Sequence, residues 1–212
     1  MIDHAKFMLI KEKYGHYASW AVWAEGAGKP KDNIGDLSIF EIEENAGLLR
    51  QLKPEVVLVG LNISRGIRFP LGNFHDGRSH SMDYKLRYAL KGTSLWGAYM
   101  TDIIKDFEQK APGKMMAYLR SEKSFEKDNV EQFREELRDL GVGQPSLIAF
   151  GEDAFKVLSR NLGEHYDVWK MPHYSNYGSK EKYREQIGSI IESQVNQRRD
   201  VACAVKGSRT EI

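Results

Sequence analysis

Four short apolar runs punctuate the chain, and most of them end at small or polar residues. Val56-Val57-Leu58-Val59 is continuous and apolar, the pattern of a strand buried on both faces. Tyr99 to Ile104, Leu147 to Phe150 and Val168 to Met171 read as three further strands. Between them the apolar positions recur at helical spacing. The helices so predicted are Asp3 to Tyr14, Leu37 to Leu52 (ending before Pro54), Met82 to Leu90, Lys114 to Leu119, Asn129 to Leu140, Ala154 to Leu162 and Tyr183 to Val195. Glu152 and Asp153 open the sixth of these, where acidic side chains meet the positive end of the helix dipole. The aromatic segment from Tyr17 to Trp23 reads as core. Gly26 to Asp36 is a loop by its glycines and proline, and a longer loop rich in Gly, Arg and His runs to about Ser81. From Gln197 onward the pattern fades into what reads as a frayed tail.

Strands alternating with helices predict an α/β fold: three αβα layers around a central, mainly parallel four-stranded sheet. No linker or internal repeat divides the chain, so residues 1–196 read as one domain. Within it, 1–54 form an N-terminal helical and loop extension, and 197–212 form the tail. In such sheets ligands bind beyond the carboxyl ends of the strands. That rule singles out Gly60-Leu61-Asn62-Ile63-Ser64, Thr101-Asp102 and His173-Tyr174-Ser175.

Composition narrows the class without naming a partner. The 212 residues are 41% hydrophobic and 29% charged, ordinary values for a soluble domain. No apolar run approaches the roughly 20 residues that span a bilayer. The first residues mix charges and lack a signal-peptide pattern, and a single cysteine, Cys203, precludes an internal disulfide. The expectation is a cytoplasmic protein without membrane association. Net charge is only +1, so no nucleic-acid partner is announced by the whole chain. Locally, residues 62–92 carry Arg65, Arg68, Arg78, Lys85, Arg87 and Lys91 against Asp76 and Asp83, a net of +4. Residues 36–55 carry Asp36, Glu41, Glu43, Glu44 and Glu55 against Arg50 and Lys53, a net of −3. This is either one basic face or two solvated faces of opposite sign.

Taken in order, the strand-end segments resemble the uracil-DNA glycosylase superfamily, and most closely its mismatch-specific uracil/thymine branch. The resemblance covers roughly Val56 to Gln186. Val-Val-Leu-Val-Gly-Leu-Asn is similar to the strand entering the family's first motif, and Phe74, twelve residues after Asn62, has the spacing of its base-stacking aromatic. Thr101-Asp102 stands where several branches place a base-reading Asn. Pro145 to Gly151 resembles the following strand-glycine-helix unit, and Pro172-His173-Tyr174-Ser175-Asn176-Tyr177 the second motif.

The resemblance implies a monofunctional glycosylase that takes a damaged or mismatched base out of DNA, without a cofactor or metal and as a monomer. Asn62 would position a water against the sugar carbon, and His173 would donate to a base carbonyl as charge develops. Phe74, Asp102, Leu61 and Asn73 would hold the base. Ser64, Arg65, Arg68, Ser175 and Asn176 would contact the strand, with Tyr177 as the wedge that fills the vacated stack.

Other meanings stand beside these. Asn62 suits a plain turn, a lone strand-end His is more often structural, Phe69 competes with Phe74, and Tyr177 equally suits a surface. His75, Asp76 and His80 are too loosely spaced for a convincing metal cluster. Three positions depart from the family pattern. Ile63 and Tyr174 replace prolines, and Asp102 accepts hydrogen bonds when ionised but donates only when protonated. Two rival functions therefore stay open: a catalytically silent nucleic-acid or nucleotide-binding protein, and a hydrolase of free nucleosides or nucleotides.

Overall fold

The computed structural model describes residues 2–45, 47–105, 107–109 and 112–207, with the side chains of residues 112 and 194–207 left out of the description. Five strands form one sheet in the order β1-β3-β2-β4-β5. They are β1 (Ser19–Trp20), β2 (Lys53–Asn62), β3 (Ala98–Ile104), β4 (Ser146–Phe150) and β5 (Val168–Met171). β2, β3, β4 and β5 are parallel, and β1 adds to the β3 edge antiparallel, with Ser19 opposite Met100. The sheet thus has one more strand than the four expected. A two-residue strand carries no periodicity of its own, so only its pairing partner defines β1.

Among the described residues six α-helices surround the sheet: α1 (His4–Tyr14), α2 (Asp83–Leu90), α3 (Pro112–Ser121), α4 (Lys123–Asp139), α5 (Gly151–Leu162) and α6 (Lys180–Gly207). Strand side chains alternate between the two faces. Val57, Val59 and Leu61 of β2, with Tyr99, Ile103, Leu147 and Ala149, pack under α1, α3, α4 and α5. Leu58, Met100, Ile148, Phe150 and Met171 pack under α2 and α6. Both faces are covered, which is why β2 and β4 read as unbroken apolar runs. On α5 the buried Ala154, Val157, Leu158 and Leu162 form one stripe at helical spacing. α1 begins where Asp3 Oδ1 accepts the Lys6 N–H at 2.8 Å.

Two local expectations change. The helix expected over Leu37 to Leu52 is a single 3-10 turn, Ser38–Phe40, followed by irregular turns. Local side-chain hydrogen bonds compete with helix there: Asp36 Oδ1 accepts the Ser38 N–H at 3.0 Å, and Asn45 Nδ2 donates to the Ile39 carbonyl at 3.1 Å. The last helix, expected to end at Val195, continues through Gly207 and takes in much of the expected tail; residues 208–212 lie outside the described residues. Among the described residues no helix is long and apolar enough to cross a membrane.

β2 lies between β3 and β4, so the chain leaves it on one side and later crosses to the other. A crevice opens at such a switch point, here at the carboxyl end of β2. The loop between β2 and α2 covers it and is pinned by the segment around β1. Gly15 O accepts from Leu71 N–H at 2.7 Å, Ser19 Oγ donates to Leu71 O at 2.7 Å, and Trp23 Nε1 donates to Phe74 O at 3.2 Å. The aromatic segment expected to be core is buried as expected, and it also anchors the loop.

Candidate functional site

A cavity of about 730 Å³ lies at this crevice, lined by the carboxyl-end residues of β2, β3 and β4, the start of α5, the segment following β5 and the β2–α2 loop. Its lining brings together Leu61, Asn62, Ser64, Arg65, Asn73, Phe74, Asp102, His173, Ser175 and Asn176. Arg68 and Tyr177 are not among the lining residues. Arg68 sits over the Phe69 ring at 5.1 Å, and Tyr177 is fully exposed. Phe69 is likewise exposed and outside the cavity.

Asn62 is the last residue of β2 and stands opposite Ile104. Its side-chain amide nitrogen donates to three carbonyls, those of Ile63 at 2.7 Å, Gln109 at 2.9 Å and Phe107 at 3.2 Å. A group facing three carbonyls has to be the NH2, so the carboxamide orientation is fixed. Its Oδ1 is left with no partner among the described residues and can accept a hydrogen bond from a water.

His173 follows β5. Its Nδ1 lies 3.2 Å from the Ser175 backbone nitrogen and 2.7 Å from Ser175 Oγ. A backbone N–H can only donate, so Nδ1 accepts and the neutral ring carries its proton on Nε2. Burial lowers the imidazole pKa from its ordinary value and favours that neutral form. Tyr174 stacks on the ring with centroids 4.6 Å apart. This stacking and the Ser175 bonds orient the imidazole.

Asp102 forms the floor. Its Oδ2 accepts from Asn73 Nδ2 at 2.7 Å, and Oδ1 has no hydrogen-bond partner among the described residues. Burial raises its pKa to about 7; the Asn73 hydrogen bond and the Lys105 charge pull the other way, and Glu136 adds to the rise. The carboxyl fits only because Gly60, its register neighbour on β2, has no side chain. A Cβ at Gly60 would stand 2.1 Å from Asp102 Oδ1.

Asn73 is committed elsewhere than to a base. Its second amide hydrogen goes to the Tyr17 carbonyl at 2.8 Å, and its Oδ1 accepts the Phe74 N–H at 3.1 Å. It positions Asp102 and the loop. Phe74 holds a left-handed φ of 63°, stabilised by that bond and by Trp23, and its ring packs 5.7 Å from Phe150 and 6.3 Å from Tyr174. It is a buried cavity wall.

The sequence reading met four acidic residues only as local charge, a rejected metal cluster or a helix start, and did not place them in the site. Asp76, Asp83, Glu152 and Asp153 all line it. Asp83 accepts the Asp76 N–H at 2.7 Å, and burial raises its pKa. Burial pulls the Asp76 carboxyl up as well, but hydrogen bonds from Arg78 and the charge of Arg65 outweigh it and hold the carboxyl below its usual value. Arg65 and Arg78 thus lie 3.3 and 3.0 Å from one carboxylate.

The basic segment expected over 62–92 is largely engaged by internal partners: Arg65, Arg78 and Lys91 meet carboxylates, while Lys85 and Arg87 keep their charge and donate to carbonyls. Lys85 donates to Asn176 O at 3.0 Å, Arg87 to the carbonyls of Ala24, Pro30 and Asp32, and Lys91 to Glu25. Only Arg68 of the six cations lacks a carboxylate or carbonyl partner among the described residues. His75 is buried with Nε2 3.3 Å from the Trp20 carbonyl oxygen, and burial lowers its pKa to about 3. It is a neutral structural histidine.

Chemically, the cavity offers a fixed acceptor at Asn62, a neutral donor at His173 and a carboxyl on the floor that changes charge near neutrality. Comparison with protein-family models, with curated proteins and with solved structures finds no match to this chain.

Proposed function

We propose that this protein is a monofunctional DNA glycosylase on a uracil-DNA glycosylase-like fold, hydrolysing the N-glycosidic bond of a damaged or mismatched, uracil-like base. The observation that carries the reading is the pairing in one cavity of Asn62, whose NH2 is tied to three carbonyls, with His173, whose Nδ1 accepts from Ser175. Asn62 Oδ1 accepts a hydrogen bond from a water and holds it against the anomeric carbon of a flipped nucleotide. The water oxygen bonds to that carbon as the carbon–nitrogen bond breaks, and the water's proton passes to solvent. The electron pair of the broken bond stays on the base, where His173 Nε2–H donates to a ring carbonyl bearing the charge. Protonated Asp102, its Oδ2 accepting from Asn73, presents the Oδ1 hydroxyl and so donates to a carbonyl of the base.

The test uses labelled oligonucleotides, single-stranded and duplex, carrying uracil, hypoxanthine, xanthine or mismatched thymine, followed by alkaline cleavage at abasic sites. Cutting that disappears in Asn62→Ala and His173→Ala supports the proposal. No cutting above those variants overturns it, and retained DNA affinity without cutting favours a binding protein. A second reading, hydrolysis of a free nucleoside or nucleotide, is favoured by one observation: Arg65 and Arg78 are committed to Asp76 rather than presented to a phosphate backbone. Faster release of base from free nucleosides than from oligonucleotides distinguishes it.

A further inference from the structure

Away from the cavity, a second concavity of about 460 Å³ opens beside α2, the start of α6 and the 24–30 loop. Its lining carries five cations, Lys29, Arg87, Lys91, Lys180 and Arg184; Lys91 pairs with Glu25 in the lining and Lys180 with Glu181 just outside it, which leaves a surplus of three. Four aromatic rings share the lining, Trp23, Tyr84, Tyr88 and Trp96. We infer that this groove binds the nucleoside-phosphate units of a single-stranded nucleic acid, cations meeting phosphates and rings meeting bases. The inference does not depend on the chemistry of the cavity.

The construction of the groove supports it. Arg87 is the builder: its three bonds to the carbonyls of Ala24, Pro30 and Asp32 hold the 24–30 loop against α2. Lys180 lies over the Tyr88 ring at 4.3 Å and Arg184 at 5.6 Å, so cationic groups are held beside aromatic surface. Lys31 sits over Tyr84 at 5.1 Å in the same manner. The Lys29 ammonium is exposed and has no partner among the described residues. Tyr84 and Tyr88, one turn apart on α2, are separated by roughly 6 Å along the helix axis, close to the step between nucleotides of an extended strand. Clustered cations interleaved with aromatic rings form the recognition surface of sequence-tolerant single-strand binders, where each stacked base contributes roughly 1–3 kcal/mol. Trp23 is buried and serves as the base of the groove, while Tyr84, Tyr88 and Trp96 are half-buried and keep exposed surface that an acidic protein partner would not use.

α2 links this groove to the cavity, since Asp83 at its start lines the cavity and Tyr84, Arg87 and Tyr88 line the groove. A strand lying along α2 would pass from one to the other.

The experiment titrates the full chain with a fluorescein-labelled oligothymidylate, reading anisotropy and intrinsic tryptophan fluorescence, the latter reporting Trp96 and Trp23. Parallel titrations use thymidine monophosphate, heparin and polyglutamate. The expected result is binding with tryptophan quenching, and a log–log salt slope falling by about 0.7 for each cation removed. Lys29→Glu with Lys180→Glu, at an exposed loop position and at the first residue of α6, should weaken binding at least about tenfold, while Lys127→Glu, exposed on α4 outside the groove, leaves it unchanged. Saturable quenching by thymidine monophosphate with no gain from the polymer also supports the groove and assigns free nucleotide as the source. Three results overturn the inference: no binding at low salt, binding unaffected by the charge reversals, or heparin or polyglutamate binding as tightly as the oligonucleotide.

Discussion

Asp102→Asn isolates the energetic consequence of a carboxyl on the cavity floor. Burial lifts the group from 3.8 to about 7, so the folded protein holds this proton more tightly than the unfolded chain does. Between those two values unfolding releases the proton, and stability falls as pH rises through the window. Above the folded value the loss is complete, and below 3.8 it is absent. A gap of about three units corresponds to about 4 kcal/mol of destabilisation once Asp102 is ionised, an upper figure because relaxation and water entry relieve part of it.

Asparagine has the same shape, keeps an oxygen to accept from Asn73 Nδ2 and does not titrate. The groups that set the shift remain in place: Asn73 from the loop, Lys105 beyond β3 and Glu136 from α4. Nearby Asp83 titrates too, but it does so in both proteins and cancels in the difference.

The stability advantage of Asp102→Asn over the parent should therefore grow with pH, by about 2–3 kcal/mol between about pH 5 and pH 8. For a chain of this size that is a Tm difference widening by roughly 5–10 °C. Urea unfolding at a series of pH values, with m unchanged between the two proteins, measures it. A difference that stays flat across the series, or that shrinks as pH rises, would refute the assignment of a raised pKa to Asp102.

Other outcomes follow from the same geometry. Cleavage of uracil-containing DNA by the parent should fall as pH rises through about 7, while Asp102→Asn keeps its rate, because only the protonated acid donates to a carbonyl; parallel pH–rate profiles would contradict this. His173→Ala should lower kcat by roughly 10²–10³ with little change in KM, the loss expected for one donor to developing charge, checked by single-turnover kinetics. Gly60→Ala should destabilise by roughly 1–3 kcal/mol, and the cost should largely vanish in an Asp102→Ala background, where the obstructing carboxyl is gone. Glu136→Ala should cost roughly 3–5 kcal/mol, because it removes the carboxylate paired with the buried Lys105 ammonium and the acceptor of Tyr99 OH at 2.6 Å; Lys105→Met combined with Glu136→Leu should recover most of it, as read by urea unfolding.

How far the fold was legible follows from where its signals reside. Val57 and Val59 face one helical layer and Val56 and Leu58 the other, so β2 shows its double burial in four consecutive letters. The segment 37–52 misled because its apolar residues are real core (Phe40, Ile42, Leu48 and Leu52 are buried), yet they reach it from turns. Burial fixed their type, while Asp36 and Asn45 fixed their backbone. Local charge was the least dependable guide. Arg65 and Arg78 meet Asp76 inside the same loop, but Arg87 meets carbonyls more than fifty positions away and Lys85 one some ninety away. The surplus of cations reappears beside α2 and α6, where Lys180 and Arg184 come from the far end of the sequence.

The site was legible in outline for a physical reason that also limits it. Strand ends in a parallel sheet converge, so Asn62, Asp102 and His173 were bound to approach one another once β2, β3 and β5 were recognised. What each can do depends on partners that arrive from elsewhere. Asn73 reaches Asp102 only because the loop is fastened to Gly15, Ser19 and Trp23, residues on the single antiparallel edge strand and its flanks. Gly60 admits the carboxyl only because the register of β2 against β3 sets the two side by side. The proton affinity of the cavity floor is thus set jointly by a strand register, a missing side chain and a loop anchor. Each belongs to a different stretch of chain, and weakening the anchor, as Trp23→Phe would by removing its bond to Phe74 O, should alter the Asp102 titration without touching the carboxyl itself.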